Sequence, residues 1–175
     1  MKEMNRREFL TLSGAAIVAL SLAGCGGGSS APAVPTTGEE AKVLEAINLY
    51  RKNAGVNEPL VLDDGLKPAA EIVVKIATGE MAYDEKAAEA LGKAEVGYNI
   101  SYGPIGIAFD KDTLNMVPVC VYSEDAELMA QKLPLQVDDG AKEALKSASL
   151  IAIQVFGYNG VKYWVAVAAK GKVTP

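Results

Sequence analysis

Histidine is absent from all 175 residues of the sequence. Because histidine is the commonest general base near neutral pH, its absence excludes the Ser-His and Cys-His pairs on which many hydrolases depend. It also excludes every zinc site that uses imidazole ligands. Acid-base chemistry on this chain would therefore fall to carboxylate side chains.

Cysteine is scarce as well, since the chain has two, Cys25 and Cys120, and neither belongs to a CxxC pair. A disulfide framework is therefore not expected, although a single bond between the two stays open. Cys120 lies in the apolar segment VPVCVY at 117–122. In that setting a cysteine is usually a small buried hydrophobe, and the alternative is a reactive thiol.

The chain also lacks a basic patch, and its formal net charge is −5. An acidic surface repels phosphate backbones, so we predict no nucleic-acid partner. Half of the residues are hydrophobic and 22% are charged. This composition is typical of one ordinary globular domain.

The first residues carry the pattern of an export signal, with a positive start and an apolar run at 9–23. The run is too short and too diluted by polar residues to be a comfortable membrane span. Around Arg6 and Arg7 the segment NRREFL resembles a twin-arginine export signal. The segment LAGC at 22–25 resembles a bacterial lipobox, which implies cleavage before Cys25 and diacylglycerol on its thiol.

Together these motifs predict a signal peptide over residues 1–24, a lipidated Cys25 with a flexible Gly/Ser/Pro-rich tether over 25–38, and a globular domain over 39–175. Two acyl chains are enough for stable attachment, so the membrane is an expected partner through the lipid anchor. We therefore predict a location on the extracytoplasmic side of a bacterial membrane. The alternative is an uncleaved signal anchor in which Cys25 is incidental.

Five helices are predicted after the tether. The first has a capping box formed by Thr37 and Glu40 and ends at Gly55. The other four helices are predicted to start at acidic or hydroxyl residues, which are Asp63 or Asp64, Asp84, Ser123, and Asp138 or Asp139. Their expected ends are Gly79, Leu91, the Leu133-Pro134 pair and Ser147.

Strand patterns occupy 98–101, 105–109 and 117–122, and the clearest pair covers 151–156 and 161–169. Asn159-Gly160 between the last two predicts a type I′ hairpin turn. Helices first and a hairpin last indicate an α+β layered domain.

Several of these segments, in this order, resemble the cysteine-rich secretory, antigen five and pathogenesis-related (CAP) superfamily. They are the helix with Asn48 and Arg51, the segment 60–70 with its Ala-Ala pair, Gly-x-Asn-Ile at 97–100, and the closing hairpin. The resemblance covers about residues 39–170, with 101–126 unmatched. It implies an α-β-α sandwich with N-terminal helices and a C-terminal antiparallel hairpin in a small central sheet.

The sequence departs from the family pattern at the residues of the family's metal site. Family members with the full site place two histidines and two acidic residues in a cleft that can hold a divalent metal, and this chain has no histidine. Tyr98 stands where the family has glutamate, and residues 126–133 lack the Trp and His of the family motif. We therefore predict no metal, no cofactor and a degenerate site. Asn48, Arg51, Tyr98 and Asn99 are the candidate cleft or ligand-binding residues.

Three of the four candidates have a structural alternative. Asn48 and Arg51, three residues apart on one helical face, are also expected as a fold-organising hydrogen-bond pair, and Tyr98 as a buried tyrosine with a satisfied hydroxyl. The favoured function is a non-enzymatic binding or interaction module. By analogy with the family its ligand is a lipid or another apolar small molecule.

The alternative function is a cell-envelope hydrolase built on a carboxylate pair, since two acids held about 5 to 9 Å apart suffice for glycoside hydrolysis. No spacing selects such a pair. Helix capping explains several of the acids, and the Asp110-x-Asp112 segment lacks the glycine and distal glutamate of a calcium loop. The candidate carboxylates are Glu58, Asp63, Asp64, Asp110, Asp112, Asp138 and Asp139.

Overall fold

The computed structural model describes residues 38–173, which form five α-helices and six β-strands. The helices are α1 (Gly38–Asn53), α2 (Lys67–Ala77), α3 (Glu85–Ala94), α4 (Ala126–Gln136) and α5 (Asp139–Ser147). The strands are β1 (Val61–Leu62), β2 (Tyr98–Ile100), β3 (Ile107–Asp110), β4 (Asn115–Pro118), β5 (Leu150–Tyr158) and β6 (Val161–Lys172). The predicted α+β class with a small central sheet is confirmed.

The central sheet is built around the β5–β6 hairpin. Its strand order is β1-β5-β6-β2, in which β1 runs parallel to β5 and the other pairs are antiparallel. The turn has φ of 49° at Asn159 and 78° at Gly160, as a type I′ turn requires. The predicted hairpin turn is therefore confirmed, and the pairing extends from Tyr158 and Val161 to Leu150 and Ala169.

Alternating residues of the hairpin serve two separate cores. On one face Trp164, Ala166 and Ala168 pack with buried residues of α1, α4 and α5. On the other face Val165 and Val167 pack with buried residues of α2 and α3. The result is a three-layer α-β-α arrangement, in which each fully buried aliphatic side chain contributes about 1.5 to 3 kcal/mol.

Two helix ends differ from the sequence predictions. Helix α4 does not end at Leu133-Pro134 but contains Pro134 and continues to Gln136. Pro134 costs the helix one hydrogen bond, yet the fully buried Leu133 holds this turn on the core and the amide of Val137 still donates to the Leu133 carbonyl. Likewise α3 passes Gly92 and ends at Ala94.

The helices start at or within a few residues of the predicted capping residues. Asp84 and Asp138 cap α3 and α5 as predicted. Asp125 rather than Ser123 caps α4, because its carboxylate accepts the Leu128 amide. Asp63 caps a short 3-10 turn, Asp64–Leu66, and α2 then begins at Lys67 with a proline in its first turn, where a missing N–H costs little.

The segment between β2 and α4 forms a separate hairpin, β3–β4. It is fastened to β6 through mutual backbone hydrogen bonds between Ile105 and Ala166. Gly106 has a φ of 92°, and a Cβ there would lie 2.6 Å from the Trp164 carbonyl oxygen, so only glycine permits this close approach. The position of the β3–β4 hairpin against the sheet therefore depends on this residue.

Some sequence predictions fall outside the described residues. They are the twin-arginine pair Arg6 and Arg7, the lipid attachment at Cys25, the tether up to residue 37, and the Thr37 cap of the first helix.

Candidate functional site

Asn48 and Arg51 of α1 contact backbone groups of neighbouring segments. The Asn48 side chain accepts the Leu60 amide at 2.8 Å and donates to the Leu60 carbonyl at 3.5 Å. Arg51 is 2% exposed and donates to the carbonyls of Glu58 at 2.8 Å and Lys146 at 3.1 Å, and also to that of Leu145. These contacts are the fold-organising hydrogen bonds of the structural alternative.

Arg51 also serves the C-terminus of α5. The last carbonyls of a helix have no partner within it, and the helix dipole makes that end attractive to a cation. The guanidinium satisfies two of them, at Leu145 and Lys146. Burial lowers the pKa of Arg51, while the nearby Glu58 carboxylate acts in the opposite direction. The residue thus fastens α1 to α5 rather than facing a ligand.

Tyr98 belongs to a cluster with Asp63 and Lys172. Its hydroxyl donates to Asp63 Oδ1 at 2.7 Å, and Lys172 Nζ lies 2.9 Å from Asp63 Oδ2 and 5.6 Å from the centre of the Tyr98 ring. Burial raises the pKa of Asp63, but hydrogen bonds from Tyr98, Lys172 and the Gly65 amide outweigh it and hold this pKa below its usual value. Burial and the Asp63 carboxylate raise the pKa of Tyr98.

The same cluster lies against the turn that precedes α2. A Cβ at Gly65 would lie 2.0 Å from the Tyr98 hydroxyl oxygen, so the tyrosine is fitted closely to the turn before α2. The neighbouring Asn99 is exposed. Neither Tyr98 nor Asn99 lines any of the three clefts described below. The four candidates are therefore not brought together into one site.

The candidate carboxylates mostly have structural partners. Asp138 Oδ1 accepts the Ala141 amide, and Asp64 pairs with Lys67 at 2.8 Å. Asp110 accepts the Asp112 amide and the Thr113 hydroxyl, which lowers the pKa of Asp110 and closes the β3–β4 turn. Within residues 38–173 no group of three or more acidic or cysteine side chains is placed to hold a metal ion.

Glu95 differs from these acids because burial alone raises its pKa. A raised carboxyl pKa is a property that a general acid needs. Glu95 follows the last residue of α3 and lines none of the three clefts. Its raised pKa is therefore not accompanied by a place in any of these three clefts.

Cys120 has no exposed surface. Burial raises the pKa of its thiol to about 12, so the thiol stays protonated and unreactive near neutral pH. The interpretation of Cys120 as a small buried hydrophobe agrees with this placement.

The concavity that most resembles a ligand site is an aromatic cleft of about 280 Å³, which lies between the β3–β4 hairpin and the junction of α4 with α5. Its aromatic side chains are Tyr83, Tyr102 and Phe109, of which Tyr83 and Phe109 are 55% and 57% exposed. Large exposed rings beside a concave apolar surface are typical of ligand sites. The other lining residues are Gly103, Pro104, Gly106, Ile107, Ala108, Met116, Gln136, Val137, Asp138 and Ala141.

Tyr102, which lines the aromatic cleft, contacts the start of α5. The Tyr102 hydroxyl donates to Asp138 Oδ2 at 2.9 Å, and this bond together with burial raises the pKa of Tyr102. The Tyr102 ring lies over Gly140, where a Cβ would come within 2.4 Å of it. Tyr102 is therefore held in place by the helix, whereas Phe109 extends from strand β3.

Two shallower concavities lie along α1. One, of about 360 Å³, is lined by Asn48, Lys52 and Val56 together with the carboxylates of Glu45 and Glu58. Both carboxylates are exposed, so they lack the desolvation that a general acid requires. The other, of about 250 Å³, is lined by Leu49, Asn53, Glu127, Ala130 and Gln131.

Sequence reasoning missed the aromatic cleft. Its aromatic residues lie in three separate segments, and two of them, Tyr102 and Phe109, fall in the part of the chain that the family resemblance leaves unmatched. One available signal was the Tyr102-Gly103-Pro104 turn, which places an aromatic residue where no helical or strand period requires one.

Comparison with family models, with characterised proteins and with solved structures finds no match to this chain. None of the helices within residues 38–173 is long and apolar enough to cross a bilayer.

Replacing Arg51 by methionine should lower the free energy of unfolding by about 3 kcal/mol, because the buried Leu145 carbonyl and the partly buried carbonyls of Lys146 and Glu58 lose their donor. Urea unfolding of the full chain measures the loss. Lys52→Met, at the exposed neighbouring position, is the matched control and should change stability by less than about 0.5 kcal/mol. Equal effects of the two substitutions would contradict the role of Arg51.

Replacing Tyr98 by phenylalanine should cost about 1 kcal/mol at pH 7, because the Asp63 carboxylate loses a donor. The folded-state pKa of Asp63 is lowered, so this stabilisation is complete above its unfolded pKa of about 3.9 and is lost as the pH falls through the folded-state pKa. The difference between wild type and Tyr98→Phe should therefore shrink below about pH 4.

Urea unfolding at several pH values between 3 and 7 tests this dependence, with the exposed Tyr83→Phe as the control that should show none. A difference that stays constant down to pH 3 would mean that the Tyr98 hydroxyl does not act through the Asp63 carboxylate.

Proposed function

We propose that this chain is a lipoprotein tethered to the extracytoplasmic side of a bacterial membrane, and that its domain binds a small apolar molecule in the aromatic cleft without catalysing a reaction. The domain is a divergent CAP-like module in this proposal. The observation that carries the binding role is that three aromatic side chains, two of them more than half exposed, line one concave surface.

The tether rests on the sequence of the N-terminal segment. The arginine pair Arg6-Arg7, the apolar run and the LAGC segment ending at Cys25 occur in the order that export, cleavage and lipidation require. A diacylglycerol thioether at Cys25 adds two acyl chains, and each buried methylene contributes about 0.8 kcal/mol to membrane attachment. Anchoring of this kind is firm and needs no transmembrane helix.

Binding is favoured over hydrolysis by the lining of the aromatic cleft. Asp138 is the one carboxylate among its lining residues, and both of its oxygens already accept hydrogen bonds, from the Ala141 amide and the Tyr102 hydroxyl. A glycosidase needs two carboxyl groups facing one substrate. The aromatic and aliphatic side chains of the lining offer apolar contact area beside polar groups, and burying that apolar area against a ligand is favourable at about 25 cal/mol per Å².

The binding role is tested with indole as a neutral aromatic probe and the full chain in a maltoside detergent, followed by ¹H–¹⁵N NMR. Saturable shifts are expected at the lining amides of Gly103, Gly106 and Ala108. Phe109→Ala should weaken binding roughly ten-fold, because it removes one ring from the contact.

The matched control is Leu114→Ala. Leu114 is also an exposed apolar residue of the same hairpin, 72% exposed, but it does not line the aromatic cleft. Its substitution should leave the dissociation constant within about two-fold of wild type. Equal weakening in both variants, or shifts that do not saturate, would contradict a binding site in the cleft.

Lipidation is tested independently by expressing Cys25→Ser in a bacterial host. Wild type should be recovered in the membrane fraction with a mass increased by the acyl groups after loss of residues 1–24, and Cys25→Ser should show neither. Cys120→Ser is the matched control and should keep both. Identical masses and fractions for wild type and Cys25→Ser would refute the anchor.

A further inference from the structure

The residues that line the aromatic cleft carry negative formal charge and no positive formal charge. Asp138 is the single acidic residue there, and no lysine or arginine contributes to the lining. The chain as a whole is also negative, with a net charge of −5. An anionic ligand would be repelled at this surface, whereas a cation would be attracted.

The three aromatic side chains add a second preference for a cation. The face of an aromatic ring carries partial negative charge, and a cation within about 6 Å of the ring centre is attracted to it. Among residues 38–173 the aromatic pair in ring contact is Phe156 with Tyr163, at 6.3 Å. Tyr83, Tyr102 and Phe109 therefore do not stack on one another, and all three contribute to the lining of the cleft.

Asp138 can still act on a cation although it caps α5. Its oxygens accept one hydrogen bond each, from the Ala141 amide at 2.8 Å and the Tyr102 hydroxyl at 2.9 Å. A carboxylate has about four acceptor sites, so two stay unused. The positive end of the α5 dipole is equivalent to about half an elementary charge and only partly offsets the full negative charge of Asp138.

The aromatic and aliphatic side chains of the lining favour some cations over others. A metal ion requires several oxygen ligands, and within residues 38–173 no such acidic group is assembled. A primary ammonium is strongly hydrated, so it loses much solvation on entering a surface formed by Ile107, Met116 and aromatic rings. An alkylated ammonium is weakly hydrated and places methyl groups against such a surface. The volume of about 280 Å³ suits a small ligand.

We infer that the aromatic cleft binds a small organic cation that carries an alkylated ammonium group, held by the faces of Tyr83, Tyr102 and Phe109 and by the charge of Asp138. This inference deepens the proposed binding function and rests on it. Two sources share this chemistry, a free quaternary ammonium compound and the headgroup of a choline lipid.

The test compares choline with 3,3-dimethylbutan-1-ol, its neutral isostere in which carbon replaces the nitrogen. Both are titrated into the full chain in dodecyl maltoside and followed by the amide shifts of Gly103, Gly106 and Ala108. Choline should bind roughly ten-fold more tightly than the isostere, since only the cation gains from ring faces and carboxylate.

Asp138→Asn removes the charge and keeps the helix cap, because asparagine caps helices as well as aspartate does. It should weaken choline binding roughly five-fold and leave the isostere unchanged. Asp125→Asn makes the same change at the cap of α4, outside the cleft, and should alter neither. Equal losses in both variants would overturn the role assigned to Asp138.

The outcomes separate this inference from the proposed function. If the isostere binds as tightly as choline, the cation preference is wrong while the apolar site stands. If neither compound nor indole gives saturable shifts, the binding function itself fails. Dihexanoylphosphatidylcholine distinguishes the two sources. If this lipid occupies the cleft at a lower concentration than choline does, the ligand is the lipid headgroup. If it competes more weakly than choline, the ligand is the free cation.

Discussion

The pairing of β5 with β6 is the interaction on which the other elements depend. Each strand places one set of side chains under α1, α4 and α5 and the alternate set under α2 and α3, so a single hairpin forms the wall between two cores. Many of its inward residues are alanines and valines, which allow helices to approach closely on both faces. A shift of one residue in the pairing would exchange the two sets and disrupt both cores at once.

Local chemistry made much of this architecture predictable. The Asn-Gly turn, the acidic helix caps at Asp84 and Asp138 and the alternating β-rich runs each act within a few residues, so they can be recognised without tertiary information. The predictions failed where distant contacts outweighed a local signal. Burial of Leu133 carries α4 through Pro134, and no local pattern reports that burial.

The candidate site was predictable only in part. Asn48, Arg51 and Tyr98 were predicted as cleft candidates, with a structural role as the alternative, and in the structure their partners are backbone groups and a neighbouring carboxylate. Such residues and ligand-binding residues look alike in a sequence, since both are polar side chains in an apolar context. The aromatic cleft was missed because Tyr83, Tyr102 and Phe109 lie in three separate segments that meet only in the folded chain.

The contact between Tyr102 and Gly140 has a consequence for how specificity can change. Gly140 is not among the lining residues of the aromatic cleft, yet the absence of its side chain allows the Tyr102 ring to rest against the helix. A single added methyl group at this position would come too close to the Tyr102 ring, so the ring or the helix would have to shift. For the proposed binding role, the shape of the aromatic cleft thus depends on a residue outside its lining, so a substitution at position 140 would alter the cleft without replacing any lining residue.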